Sequence, residues 1–240
     1  MCSLEKRGSV FLLTLTGNDD HRLSPTLLDA VLAALRHVRA EATLGFALVT
    51  AAEGKFFSNG FDLNWANAGG PHCFADRFRH MGSKLRQIMA ELISLPMPTV
   101  AAVTGHAAAA GFVLALAYDY IHMRKDRGLI YMSELDIGLD IPDSAMALIR
   151  SKIGAPRARR ELLLRAAKMK AEEAVGMGII DAAHDSREET VEAAVRRAEE
   201  LAGRKWKGEV YASIRKATFA EVSEILGLAE KKTAVAAARL

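Results

Sequence analysis

Two runs of strand length, GFALVTAA (45–52) and PTVAAVTG (98–105), are apolar at nearly every position, and each passes straight into a turn of small residues. A strand with one wet face alternates apolar and polar side chains. One that does not alternate has both faces covered, as when helices lie on either side of a largely parallel sheet. The first run leads into FFSNGFDL (56–63) and the second into HAAAAG (106–111). These pairs demand a chain that alternates strands with covering helices and brings its strand ends out in tight turns.

The remaining signals fit that frame. VFLLTLTG (10–17) reads as a strand rather than a signal peptide or membrane span, because charges at Glu5, Lys6 and Arg7 precede it and a Gly-Asn-Asp-Asp turn ends it. Ser24-Pro25 supplies an N-cap and a preset first helical φ, opening a helix to about residue 40. Phe74, Phe78, Met81, Leu85, Ile88, Met89 and Leu92 mark a long amphipathic helix over 73–95, stopped by Pro96 and Pro98. A buried helix of small and aliphatic residues follows at 111–117. Two short strands are expected at 120–123 and 129–132, around the charged turn Arg124-Lys125-Asp126-Arg127. Beyond Pro142 the pattern is helical apart from a short strand at 179–181. The expected organisation is an α/β core over 1–187 and a helical region over 188–240.

With 240 residues, half of them hydrophobic, the chain can close one sizeable core. Lys and Arg exceed Asp and Glu by 32 to 29, a balance too even for a nucleic-acid surface. Basic residues do gather in 150–170, where Arg or Lys outnumbers the lone Glu161; a solvated helix face or an attraction for phosphates would account for them. Two cysteines, Cys2 and Cys73, cannot form a disulfide framework, and no zinc-type spacing occurs, so a reducing compartment and no metal are expected. The last three residues, Ala238-Arg239-Leu240, resemble a peroxisomal address of the SKL type.

No GxSxG elbow, P-loop or GxGxxG fingerprint is present, which removes the main support for hydrolase, NTPase and nicotinamide readings. What the two turns offer is backbone. A strand ending in a tight turn before a helix start aims free N–H groups one way, and two such turns face to face form a two-donor oxyanion hole. Small residues permit the close approach this needs. From pattern alone, plain helix packing is the better account of the alanines.

The ordered set FSNGFDL, long helix, PMPTVAAVTGHAAAAG, YDY, YMSELDIGL, ARRELLL and EEAVGMGIID resembles the crotonase superfamily, the enoyl-CoA hydratase/isomerase fold, over about residues 8–230. Within it, the likeness is to the plant peroxisomal delta(3)-delta(2)-enoyl-CoA isomerases. The resemblance implies a spiral of ββα units with a C-terminal helical oligomerisation region, assembled as a trimer or a pair of trimers. It implies an acyl-CoA substrate, no separate cofactor, an import receptor as partner, and neither nucleic acid nor membrane span. The thioester carbonyl would be held by the amides of Asn59, before Gly60, and Ala110, before Gly111. Arg22, Leu23, Lys55, Phe57, Ser58, Asp62 and Leu63 would border the CoA groove and the acyl entrance.

Hydratases of the superfamily share a water between two glutamates. The position of the first, three residues after Ala110, is Val113 here; that of the second is Glu134 in YMSELDIGL. One carboxylate suits moving a proton from the α to the γ carbon of a 3-enoyl thioester, with the dienolate held at the turns. Asp143 is the rival carboxylate, unless it merely occupies the first turn of a helix, where the macrodipole favours an acid. Asp136 and Asp140 read as turn or surface residues and His106 as a structural histidine. Hydration, thioester hydrolysis and a non-catalytic binding role stay open as alternatives.

Overall fold

Covering both faces of the apolar strands requires a path that returns each strand parallel to the last. In the computed structural model, which describes residues 1–229, that path is a spiral. The hairpin of β1 (Cys2–Arg7) and β2 (Val10–Leu15) leads through α1 (Pro25–Ala40) to β3 (Ala47–Ala52), parallel to β2. From the end of β3 the chain enters a second sheet as β4 (Phe56–Ser58), then forms α2 (Leu63–Asn67) and the long α3 (Pro71–Ser94). The same step recurs with β5 (Thr99–Val103), β6 (His106–Ala108) and α4 (Ala110–Leu116). It recurs again with β7 (Tyr120–Arg124) and β8 (Ile130–Tyr131), followed by α5 (Glu134–Ile137), α6 (Asp143–Lys152), α7 (Pro156–Arg159), a π-helical turn over Arg160–Leu164, and α8 (Ala171–Gly176). After β9 (Ala182–His184) come α9 (Arg187–Gly203), α10 (Gly208–Thr218) and α11 (Ala220–Ile225). The large sheet runs β1-β2-β3-β5-β7-β9, parallel except for the first pair, and the small parallel sheet runs β4-β6-β8.

The non-alternating runs are explained by what lies on each side. One set of side chains, including Leu12, Val49, Val100 and Ala102, packs on Ala194, Ala198 and Ala202 of α9, whose small side chains let the helix sit close to the sheet. The opposite set, including Leu13, Leu15, Leu48 and Val103, joins the larger core with Leu28, Leu35, Leu85 and Leu92 of α1 and α3. Ser24 caps α1 by accepting the Leu27 amide at 3.3 Å, as its sequence signal indicates.

One local expectation is corrected, the strand at 179–181, and two features go beyond the expected pattern. Charged Cys2–Arg7 forms a strand, because a two-residue turn with Gly8 at φ +57° folds it back on β2. The strand expected at 179–181 forms three residues later, since the Asp181 carboxylate takes the Ile121 amide at 2.6 Å and holds that stretch as a bend. The strands flanking 124–127 do not pair with each other: β7 belongs to the large sheet and β8 to the small one. The tripeptide Ala238-Arg239-Leu240 lies outside the described residues.

Candidate active site

β4 and β6 are parallel neighbours, so the turns that follow them lie side by side. Their contact is backbone on backbone. A Cβ placed on Gly111 would stand 2.3 Å from the Ser58 carbonyl oxygen, so only glycine fits. Gly60 adopts φ +76°, and a Cβ there would press on the Ala108 carbonyl and the Ala109 methyl at 3.2 Å. The strand ends behind the turns are tied together by Thr104, whose hydroxyl donates to the Ala52 carbonyl at 2.7 Å and accepts the Ala52 amide.

Which amides are free follows from a segment that laces along the first turn. Asp19 accepts the Phe56 amide, Asp20 accepts the Asn59 amide at 2.9 Å, and Leu23 donates to the Gly60 carbonyl at 2.8 Å. The Ser58 hydroxyl donates to the His21 carbonyl, and the His21 Nδ1–H donates to the Phe56 carbonyl, both at 2.8 Å. The expected Asn59 donor is therefore already engaged. Among the described residues, the amides of Phe61 and Ala110 donate to no protein group, and both residues line one cavity of about 490 Å³. The free amide of the first turn at this cavity thus lies two residues beyond Asn59, at Phe61. At Ala110 the expectation of a free amide agrees with the hydrogen bonding, and the positive φ that alanine tolerates poorly (+49°) falls on Ala109 instead.

Glu134 lines the same cavity as the first residue of α5. One carboxylate oxygen, Oε2, is buried with no hydrogen-bond partner. Burial pushes its carboxyl above the ordinary range, against the backbone N–H groups of Glu134 and Ser133 that favour the charged form. Val113 also lines the cavity and is buried. Asp143 sits exposed in the first turn of α6 and does not line the cavity, whereas Asp140 does, at an exposed position.

The other expected contacts divide. Arg22 and Leu63 line the cavity, with Arg22 paired to Asp20 at 3.3 Å. Phe57 and Leu23 are fully buried in the core, and Ser58 is consumed by its bond to His21, so none of the three borders the entrance. Asp62 caps α2 by accepting the Trp65 amide at 3.0 Å. Lys55 lies over the Phe56 ring, as does His106 from the other strand, and neither lines the cavity. The basic residues of 150–170 are dispersed in contacts of their own: Arg150 with Glu221, Arg165 with Glu161, Lys168 over Tyr131.

One wall of the cavity had no sequence reading as a site. Phe78, Leu85 and Met89 of α3 line it together with Ile141 and Ala145 of the α5–α6 stretch, and Arg79, Ser83 and Arg86 of α3 line it as well. The apolar stripe on α3 was legible as a core face, but sequence spacing does not distinguish a stripe that meets another helix from one that meets a hollow.

A family model described as enoyl-CoA hydratase/isomerase matches residues 5–233. "Enoyl-CoA delta isomerase 2, peroxisomal" from Arabidopsis thaliana is 56% identical over 95% of this chain and 96% of its own length. "Enoyl-CoA delta isomerase 3" from the same plant is 53% identical over the same shares. The crystal structure of a probable enoyl-CoA hydratase from Mycobacterium tuberculosis superposes with a TM-score of 0.84 at 25% identity, covering 94% of this chain and 91% of that one.

Proposed function

The chain belongs to the enoyl-CoA hydratase/isomerase family, and from that premise we propose that it is a delta(3)-delta(2)-enoyl-CoA isomerase serving the β-oxidation of unsaturated fatty acids. The observation that carries the reading is the cavity's asymmetry: a half-buried Glu134 whose Oε2 has no hydrogen-bond partner stands with an apolar Val113 where hydration would need a second carboxylate. Two relatives at 53–56% identity bear the isomerase name.

The thioester oxygen of a 3-enoyl-CoA accepts the amides of Phe61 and Ala110. Glu134, ionised, removes a proton from C2; the C2–H pair forms a C1=C2 bond as the carbonyl π pair moves onto the thioester oxygen. The C3=C4 bond stays in place until C4 is protonated, when the carbonyl re-forms and the C1=C2 pair becomes C2=C3. The negative charge of this dienolate rests on the thioester oxygen, where two preorganised N–H groups stabilise it, each by roughly 3–4 kcal/mol. Glu134 then returns its proton to C4, leaving a 2-enoyl-CoA with no atom gained or lost. A raised carboxyl pKa suits both halves of this exchange. Asp140, exposed at the rim, takes no part.

Glu134→Gln is expected to lower kcat by roughly 10²–10⁴-fold while acyl-CoA binding persists, with Asp140→Asn and Asp143→Asn close to wild type. The assay follows 3-enoyl-CoA consumption and identifies the product. Full activity of Glu134→Gln, or a 3-hydroxyacyl or free-acid product from wild type, would sink the assignment.

The same reading places the protein in the peroxisome, supported by the name of the 56% identical relative. A fluorescent fusion losing that location when Ala238-Arg239-Leu240 is removed is the expected result. It also makes the enzyme a trimer or hexamer, with the helices after residue 187 at the subunit contacts; Trp206, Val210 and Ile214 are exposed there.

A further inference from the structure

Phe78, Leu85 and Met89 lie on one stripe of α3, at the three- and four-residue steps that bring side chains to a common face. Gly82 falls on the same stripe and also lines the active-site cavity. Glycine is the poorest helix former after proline, and this one sits near the middle of a 24-residue helix, far from either cap. No backbone requirement accounts for it. Gly82 is not among the residues of positive φ. A Cβ built there meets nothing within 4 Å, unlike Gly111, where it would strike the facing turn. What remains is a gap on the cavity side of α3, among Phe78, Leu85 and Met89, with the exposed Arg79, Ser83 and Arg86 lining the same cavity beside it.

We propose that Gly82 is a specificity-determining residue: the gap takes the acyl chain beyond the reacting carbons, so that long-chain 3-enoyl-CoA esters are accepted. The substrate class deepens the isomerase reading and rests on it. A chain held by its thioester at the two turns must lay its further methylenes along apolar wall, and the longer the chain the more wall it needs. Leucine or methionine at 82 fills the gap without harming the helix, since both are strong helix formers.

The test compares wild type, Gly82→Ala, Gly82→Leu and Gly82→Met on trans-3-hexenoyl-CoA and trans-3-dodecenoyl-CoA. For the Leu and Met variants, kcat/KM on the dodecenoyl ester is expected to fall roughly tenfold or more, the loss of about two methylenes' burial, with the hexenoyl ester little changed. Gly82→Ala is expected to melt no lower than wild type, which shows that no backbone requirement holds glycine at this position. Retained dodecenoyl activity, or an equal fall on both esters, overturns the proposal. Calorimetric binding of saturated hexanoyl-CoA and dodecanoyl-CoA separates the two levels. If wild type binds both but isomerises neither 3-enoyl ester, the isomerase reading falls, and a selective loss of dodecanoyl-CoA affinity in Gly82→Leu still upholds the gap. Unchanged dodecanoyl-CoA affinity in that variant refutes it.

Discussion

At the residue scale, chemistry concentrates where a group is held against its solvation preference. Glu134 is such a group: burial raises its carboxyl pKa, so the folded protein binds that proton more tightly than the unfolded chain. Charging Glu134 therefore costs stability once the pH exceeds the unfolded value, and the cost is absent below the ordinary carboxylate range. Glu134→Gln is expected to melt at or above the wild-type temperature near neutral pH, the difference vanishing in acid. The kcat/KM profile of wild type should lose activity as the pH falls through an inflection above the ordinary carboxylate range. An inflection at or below that range would contradict a desolvated base. Ala109 is the second such residue, with φ +49° and ψ −125° at the start of α4. Glycine adopts that conformation without the Cβ penalty of roughly 1–2 kcal/mol, partly offset by its greater freedom when unfolded. Ala109→Gly should raise stability by roughly 0.5–1 kcal/mol and leave turnover unchanged; a lower melting temperature would show the alanine to be relaxed there. Of these residues, Glu134, Ala110 and Val113 were legible through motif order. Phe61 was not, because the choice between neighbouring amides depends on the Asp20 carbonyl, thirty-nine positions away from Asn59, which takes the Asn59 amide.

At the element scale, the sequence showed most helices and buried strands but not what locks them. Ser24, Pro25, Pro96 and Pro98 punctuate their helices through local chemistry, so they could be read directly. β1 and the bend at Ile179 could not, since pairing partners and a side chain standing in for a ladder bond set them. The strongest lock joins α10 to the end of α3 and the start of β7. Arg215 is buried; its Nε and Nη2 meet Asp119 at 2.6 and 2.5 Å, and its Nη1 and Nη2 donate to the Leu95 and Met97 carbonyls at 2.7 and 2.6 Å. Asp119 also accepts the Thr99 amide and the Tyr211 hydroxyl. Removing one partner leaves a buried carboxylate and orphaned carbonyls. Arg215→Ala is expected to cost about 3–5 kcal/mol in denaturant unfolding. A cost under about 1 kcal/mol, the level of an exposed pair, would mean that the helices after residue 187 are held by their apolar contacts alone.

At the scale of the whole molecule, the spiral explains why two turns so far apart in sequence share one cavity. Each circuit adds one strand to the large sheet and one to the small, so the ends of β4 and β6 become neighbours although α2, α3 and β5 separate them in the chain. Strand order is a property of the winding and is not written in periodicity; only the family resemblance carried it into the sequence reading. The helices after β9 close the far side of this unit, and α10 leaves Val210 and Ile214, one turn apart, 52% and 62% exposed beside Trp206. These residues border a hollow of about 610 Å³ with Tyr211 and Phe219, an apolar area of the kind that subunit contact covers. Under the proposed assembly, charging this surface should break it. Val210→Glu combined with Ile214→Glu is expected to shift the light-scattering mass from three or six chains to one, with the circular dichroism of the folded chain retained, because both side chains are outside the core. An unchanged assembled mass would move the contact to another face, and a single-chain mass for wild type would remove the assembly altogether.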